Sequence, residues 1–406
     1  MEKQAVQVLP PPAKLQLSVS AITEWLVALA TGSSRPNALA SPGWSTTEWR
    51  YARVIAHIQG IAPLLNVRGA GLYGDEDWRT FLTQQYFRNA ARNARILERF
   101  DRIQADATGR GIPLLPLKGV WLLRHVYDDH ALRPMSDIDL FTPAEHEAGV
   151  CQSIESVGFR QVDRLDRHRI FVLPPNTIID LRGEHPDNPI KLELHTRLYD
   201  NVPREEIDLT PLFAGLCQST PAQPPSFVDV FVYAILHATD HMMKRTLRFI
   251  TLHDLLLLSQ RLLRAEWDEV QARLGAYGGA WWAYPPLKLL QRYVPDALAP
   301  DIAAWLETHT TGQLRQRVPG MTMTEVSFCN LRPAYVRHLM LWARDWRETV
   351  QYASERLLGT GRMGWETNHH WVRQSYAFSP VTSPYRRLIK WLSPGAYRAG
   401  VEELFG

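Results

Sequence analysis

Two aspartates separated by a single residue, Asp137 and Asp139, lie in the run Arg133–Phe141 and alternate there with the apolar Ile138 and Leu140. Side chains of a β-strand alternate between its two faces, so both carboxylates point to one face while Ile138 and Leu140 point to the other. Two carboxylates held this close repel each other unless a cation binds between them, and Mg²⁺ is commonly bound by carboxylates together with substrate phosphates. The run therefore predicts a strand with one face in a hydrophobic core and the other binding metal.

Two further segments carry the groups that such a strand would work with. The run Leu114–Gly119 ends in a glycine, and a residue without a Cβ lets backbone N–H groups come close to a phosphate. The run Lys191–His195 alternates like a strand and places Glu193 among apolar neighbours, where an unpaired charge would be costly. A metal ion, or a role as the base for an acceptor hydroxyl, explains this glutamate. Together the three segments predict metal-assisted phosphoryl or nucleotidyl transfer.

Composition narrows the class of protein. A chain of 406 residues is too long for one ordinary core, so two or three domains are expected. A net charge of +3 is too weakly basic to indicate nucleic acid as a partner, and it does not exclude one. The stretch Leu252–Leu263 is too short and too polar to span a bilayer, and Met1–Ala13 lacks the apolar segment of a signal peptide. We therefore expect a cytoplasmic protein without a membrane span; its oligomeric state is not predicted.

The three cysteines are far apart in the sequence and form no CxxC motif. This spacing favours free, buried thiols over a disulfide framework or a metal site. The cysteines are Cys151, Cys217 and Cys329.

The pattern of apolar residues divides the chain into three parts: an N-terminal helical region over 1–108, an α+β core over 109–220 and a C-terminal helical domain over 221–406. Apolar spacing predicts N-terminal helices over Ile22–Leu29, Trp49–Leu65 and Trp78–Ile103, the last capped by Asp75 or Asp77. In the core, a helix is expected between Thr142 and Val157. Strands are expected over Ile112–Leu117, Asp137–Phe141, Arg169–Leu173, Thr177–Leu181 and Ile190–Leu194. The predicted fold class is α+β, with a small mixed, mostly antiparallel sheet.

The three motif segments, with the helix from Tyr86 to Ile112 and the helical segment His237–Leu258, resemble an uncharacterised bacterial nucleotidyltransferase family of the polymerase-β-like superfamily. The resemblance implies transfer of a nucleoside monophosphate from an NTP, by default ATP, to a hydroxyl of a small-molecule, peptide or protein acceptor. Mg²⁺, or alternatively Mn²⁺, is the implied metal ion. By this resemblance Asp137, Asp139 and Glu193 are the catalytic carboxylates and metal ligands, and Gly119 is the glycine of the phosphate-binding loop.

The chain departs from the superfamily pattern at the phosphate loop. Val120 follows Gly119 where the superfamily has Gly-Ser or Gly-Gly, so no hydroxyl group is available there. We therefore assign the phosphate contacts to Lys118 or Arg133. The alternative role for each of them is a salt bridge to the carboxylate cluster. Ser136, immediately before the first aspartate, is assigned to the nucleotide site with them.

The third carboxylate and the histidines near it each have two possible roles. Asp180 competes with Glu193 as the third carboxylate, and His195, two residues after Glu193 on the same face, either contacts substrate or hydrogen-bonds a metal ligand. His253 and Asp254 form no metal site by spacing alone, and His253 is expected to pack or hydrogen-bond within a helix. Two alternatives are open for the function of the whole chain. Val120 favours an interaction protein that keeps this fold without being catalytic. The second alternative is a toxin that acts on tRNA or on a partner protein.

Overall fold

The computed structural model describes residues 12–32, 42–165, 168–174, 185–202, 205–219, 221–327, 341–343 and 346–358. The N-terminal part is helical, as predicted, with helices α1 (Pro12–Thr31), α2 (Thr46–Ile58), α3 (Ala62–Val67) and α4 (Glu76–Gly109). Asp75 caps α4 by accepting a hydrogen bond from the Trp78 amide at 2.8 Å, which confirms one of the two predicted caps.

The single helix predicted over Trp49–Leu65 is two helices. Gly60 separates them with a φ of +69°, a left-handed conformation that favours glycine. A Cβ at this position would lie 2.8 Å from Nη2 of Arg248, so close packing requires glycine as well. Because one glycine is tolerated inside many helices, apolar spacing alone did not reveal this break.

The central sheet has five strands in the order β1-β2-β5-β4-β3. Only β2 and β5 run parallel, and the other three neighbouring pairs are antiparallel, which confirms the predicted mixed, mostly antiparallel sheet. The strands are β1 (Leu115–Pro116), β2 (Asp137–Phe141), β3 (Arg160–Arg164), β4 (His168–Leu173) and β5 (Ile190–His195). A separate antiparallel hairpin follows, formed by β6 (Tyr199–Val202) and β7 (Glu205–Asp208).

Several strand predictions differ from the structure. Strand β2 has its predicted bounds, whereas the strand predicted over Ile112–Leu117 pairs only at Leu115 and Pro116. Strand β3 was not predicted because its residues are mostly polar and exposed at the edge of the sheet. The predicted strand Thr177–Leu181, with Asp180, lies outside the described residues.

Two helices flank the core strands. Helix α5 (Lys118–His125) begins at the predicted glycine turn and lies between β1 and β2 in the chain. Helix α6 (Glu147–Ser156) follows a short 3₁₀ turn at Ala144–His146, so the predicted helix begins later than Thr142. The helix ends at Ser156, one residue before the predicted end, and Gly158 follows it with a φ of +98°.

The C-terminal part is helical over its described residues, as expected. Its helices are α7 (Thr210–Leu216), α8 (Phe227–Lys244), α9 (Phe249–Ser259), α10 (Arg264–Ala276), α11 (Tyr284–Tyr293), α12 (Pro300–Thr308), α13 (Gly312–Arg317), α14 (Met323–Ser327) and a further helix at Trp346–Leu358. Across the described ranges, every helix is too short or too polar to traverse a lipid bilayer. The division of the chain into three domains stays a prediction.

Aromatic contacts place α8 over the acidic face of the sheet. The Phe141 ring, on the same face of β2 as the two aspartates, lies 6.1 Å from Phe213, which lies 5.6 Å from Tyr233 of α8. Helix α8 therefore lies over the C-terminal end of β2, on the face of the strand that carries the aspartates.

Two of the three cysteines lie among the described residues, and both are free thiols, as predicted. Cys217 is buried and Cys151 partly buried, and burial raises the pKa of Cys217 to about 11. Cys329 lies outside the described residues.

Candidate active site

The parallel pairing of β2 with β5 brings the predicted carboxylates together. Asp137 pairs with Lys191, Asp139 with Glu193 and Phe141 with His195. Because partners in register share a face, Asp137 and Asp139 of β2 lie beside Lys191, Glu193 and His195 of β5. The alternation that buries Ile138, Leu140, Leu192 and Leu194 in the core thus directs every charged side chain of these strands to one surface.

Asp139 is the centre of this surface. Its Oδ1 accepts a hydrogen bond from Nζ of Lys118 at 2.8 Å and lies 3.2 Å from Nε2 of His195. The same nitrogen of His195 is 3.5 Å from Oε2 of Glu193, whose other oxygen pairs with Lys191. The buried Asp139 and the partly buried Glu193 are therefore neutralised by two lysines and a histidine.

The electrostatics follow from this arrangement. Burial opposes ionisation of Asp139, but Lys118 and the His195 hydrogen bond outweigh it and lower the pKa of Asp139 to about 2. The pKa of Glu193 is likewise well below its usual range, because His195 and the lysines outweigh its burial. Asp137 has no cationic hydrogen-bond partner among the described residues, so burial and repulsion from Asp139 and Glu193 outweigh the attraction of the lysines and raise its pKa to about 6.

The donor set fits a divalent cation. The ligand atoms of Asp139, Glu193 and His195 lie within 4.8 Å of one another, and this is the one such cluster found in the described part of the chain. Carboxylate oxygens suit Mg²⁺ and Mn²⁺, whereas an imidazole nitrogen is more typical of sites for Zn²⁺ and other transition metals. Asp137 lies outside this cluster, so its predicted role as a metal ligand stays a prediction. His195 was only an alternative in the sequence; its spacing two residues from Glu193 was the signal for it.

The beginning of α5 lies beside the cluster. Leu117 donates its N–H to the Asp139 carbonyl at 2.9 Å, and Lys118 follows with a φ of +40°, which is rare for a residue other than glycine. Helix α5 has no side-chain cap, and the backbone N–H groups of Lys118, Gly119 and Val120 have no acceptor among the described residues. Free N–H groups at a helix N-terminus form an anion-binding site.

Gly119 is required by packing at this point. A Cβ would lie 2.3 Å from Sδ of Met135 and 2.7 Å from Nη1 of Arg133. The segment before β2 thus packs directly on the first turn of α5. Ser136, at the end of that segment, is exposed, and its carbonyl accepts a hydrogen bond from Arg92 at 2.8 Å.

Arg133 does not join the carboxylate cluster. Its Nε lies 3.0 Å from Oδ1 of Asp254 and its Nη2 lies 2.9 Å from Oδ2, so the pair is bidentate. Tyr127 donates a third hydrogen bond to Oδ1 at 2.7 Å. Lys118 forms the expected salt bridge to the carboxylate cluster, at Asp139. Arg133 instead forms its salt bridge with Asp254 of α9, which is far away in the sequence.

Arg92 of α4 positions both strands, and no sequence pattern indicated it. Its side chain is almost fully buried, and the residue is 2% exposed. It donates to the carbonyls of Met135 and Ser136 before β2, and to three carbonyls before β5. These three belong to His185, Asn188 and Pro189, at 3.2, 3.0 and 3.0 Å. Nothing in the local sequence distinguishes it from the other arginines of this helix.

Comparison with known proteins identifies the family of the chain. A family model described as an uncharacterised nucleotidyltransferase matches residues 45–295, more than half of the chain. No curated protein matches the chain. Among solved structures, the chain is similar to the solution structure of the antibiotic-resistance factor ANT(2'')-Ia. The two are 16% identical, and the alignment covers 45% of this chain and 93% of that chain with a TM-score of 0.30.

The matched range contains the acidic surface, the beginning of α5 and the arginine pair with α9. The match confirms the resemblance to a nucleotidyltransferase family that was inferred from the motifs. This chain belongs to the uncharacterised nucleotidyltransferase family and is a transferase of nucleotidyl groups.

Proposed function

We propose that this protein transfers a nucleoside monophosphate from an NTP, with ATP as the default donor, to a hydroxyl group of a small-molecule, peptide or protein acceptor. The proposal also places it in the polymerase-β-like superfamily, among bacterial members. The observation that carries it is the placement of Asp139 opposite Glu193 beside the uncapped beginning of α5. This arrangement combines ligands for a divalent cation with backbone donors for phosphate.

The triphosphate would lie at the N-terminus of α5. The N–H groups of Gly119 and Val120, which have no acceptor among the described residues, suit phosphate oxygens, and the helix dipole favours negative charge there. Lys118 is next to these groups and bonded to Asp139, so it would bridge the phosphates and the carboxylates. Backbone donors make a hydroxyl at position 120 unnecessary, which weakens the case for a non-catalytic protein.

The carboxylates would hold the metal ion. Asp139, Glu193 and His195 would bind Mg²⁺ or Mn²⁺, with Asp137 adjacent, and the ion would stabilise negative charge on the phosphates. The acceptor hydroxyl attacks the α-phosphorus, forming a new P–O bond and breaking the bond to the β-phosphate oxygen. Pyrophosphate leaves, and the hydroxyl proton passes to a carboxylate of the cluster. The acceptor would enter where Tyr233 of α8 faces this side of the sheet.

Calorimetry tests the proposal. We expect the wild-type protein to bind one of ATP, GTP, CTP or UTP in the presence of Mg²⁺ or Mn²⁺. Asp139→Asn and Glu193→Gln should each weaken that binding by at least about tenfold, which is about 1.4 kcal/mol. Asp301→Asn, which removes an exposed carboxylate paired with Arg264, is the matched control and should bind like wild type. If the wild type binds no NTP with either metal, the proposal is wrong and a non-catalytic protein with this fold is favoured.

A further inference from the structure

A buried ion pair joins the C-terminal helices to the segment before β2. Asp254 of α9 accepts two parallel hydrogen bonds from Arg133, and its side chain is 4% exposed against 13% for the arginine. Tyr127 completes the contact by donating to the same carboxylate. A bidentate pair with a third hydrogen bond fixes the plane of the guanidinium group, which a single contact would not do.

Nη1 of Arg133, the guanidinium nitrogen that Asp254 does not bind, points to the beginning of α5. Nε and Nη2 of Arg133 are both bonded to Asp254, whereas Nη1 has no hydrogen-bond partner in the described part of the chain. This nitrogen lies 2.7 Å from the point where a Cβ of Gly119 would be. It is therefore adjacent to the backbone N–H groups that also lack acceptors. A fixed cationic donor and backbone amides without an acceptor are the groups that a phosphate binds.

The ion pair also keeps Arg133 away from the metal ligands. Arg133 and Asp137 are close enough to interact electrostatically, and Asp137 has no cationic hydrogen-bond partner among the described residues. Without its anchor, the long arginine side chain would be free to turn toward the acidic surface. Asp254 and Tyr127 hold it on the phosphate side instead.

We propose that Asp254 is a positioning residue of the nucleotide site, which holds Arg133 so that Nη1 donates a hydrogen bond to the β- or γ-phosphate of the bound NTP. The inference rests on the proposed function and extends it, because it makes α9 of the C-terminal region part of the triphosphate site. Asp254 itself does not touch the nucleotide. Its removal should therefore weaken the contact with the phosphates and leave recognition of the nucleoside unchanged.

Binding of the tri-, di- and monophosphate of one nucleoside tests this proposal. The probe is the NTP that binds most tightly to the full-length wild type in calorimetry, together with its NDP and NMP, titrated with Mg²⁺. We expect Asp254→Asn to weaken NTP binding by about tenfold, the scale of one charge-assisted contact, and NMP binding by less than about twofold. Arg133→Gln should show the same pattern, and the double variant should be no weaker than either single variant, because both changes remove one contact.

Asp229→Asn is the matched control. Asp229 is a buried aspartate of α8 that pairs with Arg273 and makes no contact with Arg133, so it should not change the ratio of NTP to NMP affinity. If Asp254→Asn does not fold, Arg133→Lys decides, since lysine keeps the charge but lacks the fixed Nη1 donor. Arg133→Lys should show the same loss of preference for NTP over NMP.

Two results would overturn the inference alone: wild-type NTP affinity in folded Asp254→Asn or Arg133→Lys, or equal losses for NTP and NMP. Failure of the wild type to bind any NTP would instead overturn the proposed function, and this inference with it.

Discussion

Asp139 and Glu193 lie directly opposite each other in two parallel strands, and one ring nitrogen of His195 is within 3.5 Å of a carboxylate oxygen of each. Two negative charges are thus brought together by strand register and balanced by Lys118, Lys191 and His195. A divalent cation bound here would neutralise the same carboxylate oxygens and so would take the place of these three side chains.

Removing one carboxylate should weaken the metal site. We expect Glu193→Gln to weaken binding of Mn²⁺ by at least about tenfold, since an amide is a poorer ligand than a carboxylate. Electron paramagnetic resonance of free Mn²⁺ measures this without any substrate. Glu147→Gln is the control, because Glu147 pairs with Arg169 between α6 and β4, outside the cluster. Equal Mn²⁺ affinity of Glu193→Gln and wild type would show that the cluster is not a metal site.

Lys118 should stabilise the protein most when metal is removed. Lys118→Met leaves the buried Asp139 without its closest cation, so we expect the free energy of unfolding in EDTA to fall by about 3 kcal/mol. Adding Mg²⁺ or Mn²⁺ should restore part of that loss, because ligand bound to the native state stabilises it. Urea unfolding with and without metal measures both effects.

Lys288→Met is the control for this prediction. Lys288 pairs with the partly exposed Glu307, so its loss should cost at most about 1 kcal/mol and be insensitive to metal. A metal-independent loss in Lys118→Met would mean that metal does not bind at Asp139.

The part of the site that could be predicted from the sequence is the part in which charged and apolar side chains alternate along a single strand. The bounds of β2 were predicted residue for residue, because two carboxylates alternate with buried Ile138 and Leu140. Lys118 and Glu193 were identified from their short local motifs. The exposed edge strand β3 was missed because it buries too little apolar surface to leave a pattern.

The rest of the site depends on contacts between distant segments. Arg133 was identified, but its partner Asp254 follows 121 residues later, and no local pattern links the two. Arg92 bonds to backbone carbonyls, which carry no sequence signal at all. Tertiary packing also decides that β2 and β5 are neighbours, so the register that places Asp139 opposite Glu193 could not be predicted from the two strands alone.

Gly119 should tolerate no larger residue. We expect Gly119→Ala to lower the free energy of unfolding by about 1–3 kcal/mol, because its Cβ would overlap the Met135 side chain. Gly109→Ala, at the end of α4, is the control: its Cβ would meet nothing within 4 Å, and the change should be neutral or slightly stabilising. Urea unfolding compares them, and equal stability of the two variants would contradict the close approach at Gly119.

Arg92 should hold β2 and β5, the two strands of the candidate site, in register with each other. Arg92→Met removes donors to five carbonyls on both sides of the site, so we expect a loss of at least about 3 kcal/mol in unfolding free energy. Hydrogen exchange should also rise locally in residues 133–137 and 185–190, because both segments lose the side chain that joins them. Mass spectrometry of the exchanged peptides measures this.

Arg99→Met on the same helix is the matched control. Arg99 is partly exposed and makes no hydrogen bond or ion pair within the described residues, so its loss should change stability by no more than about 0.5 kcal/mol. If Arg92→Met raises exchange throughout the chain and not in these two segments, Arg92 contributes only to general stability. A local rise confined to them would show that one buried arginine sets the distance between the strand of Asp139 and the strand of Glu193.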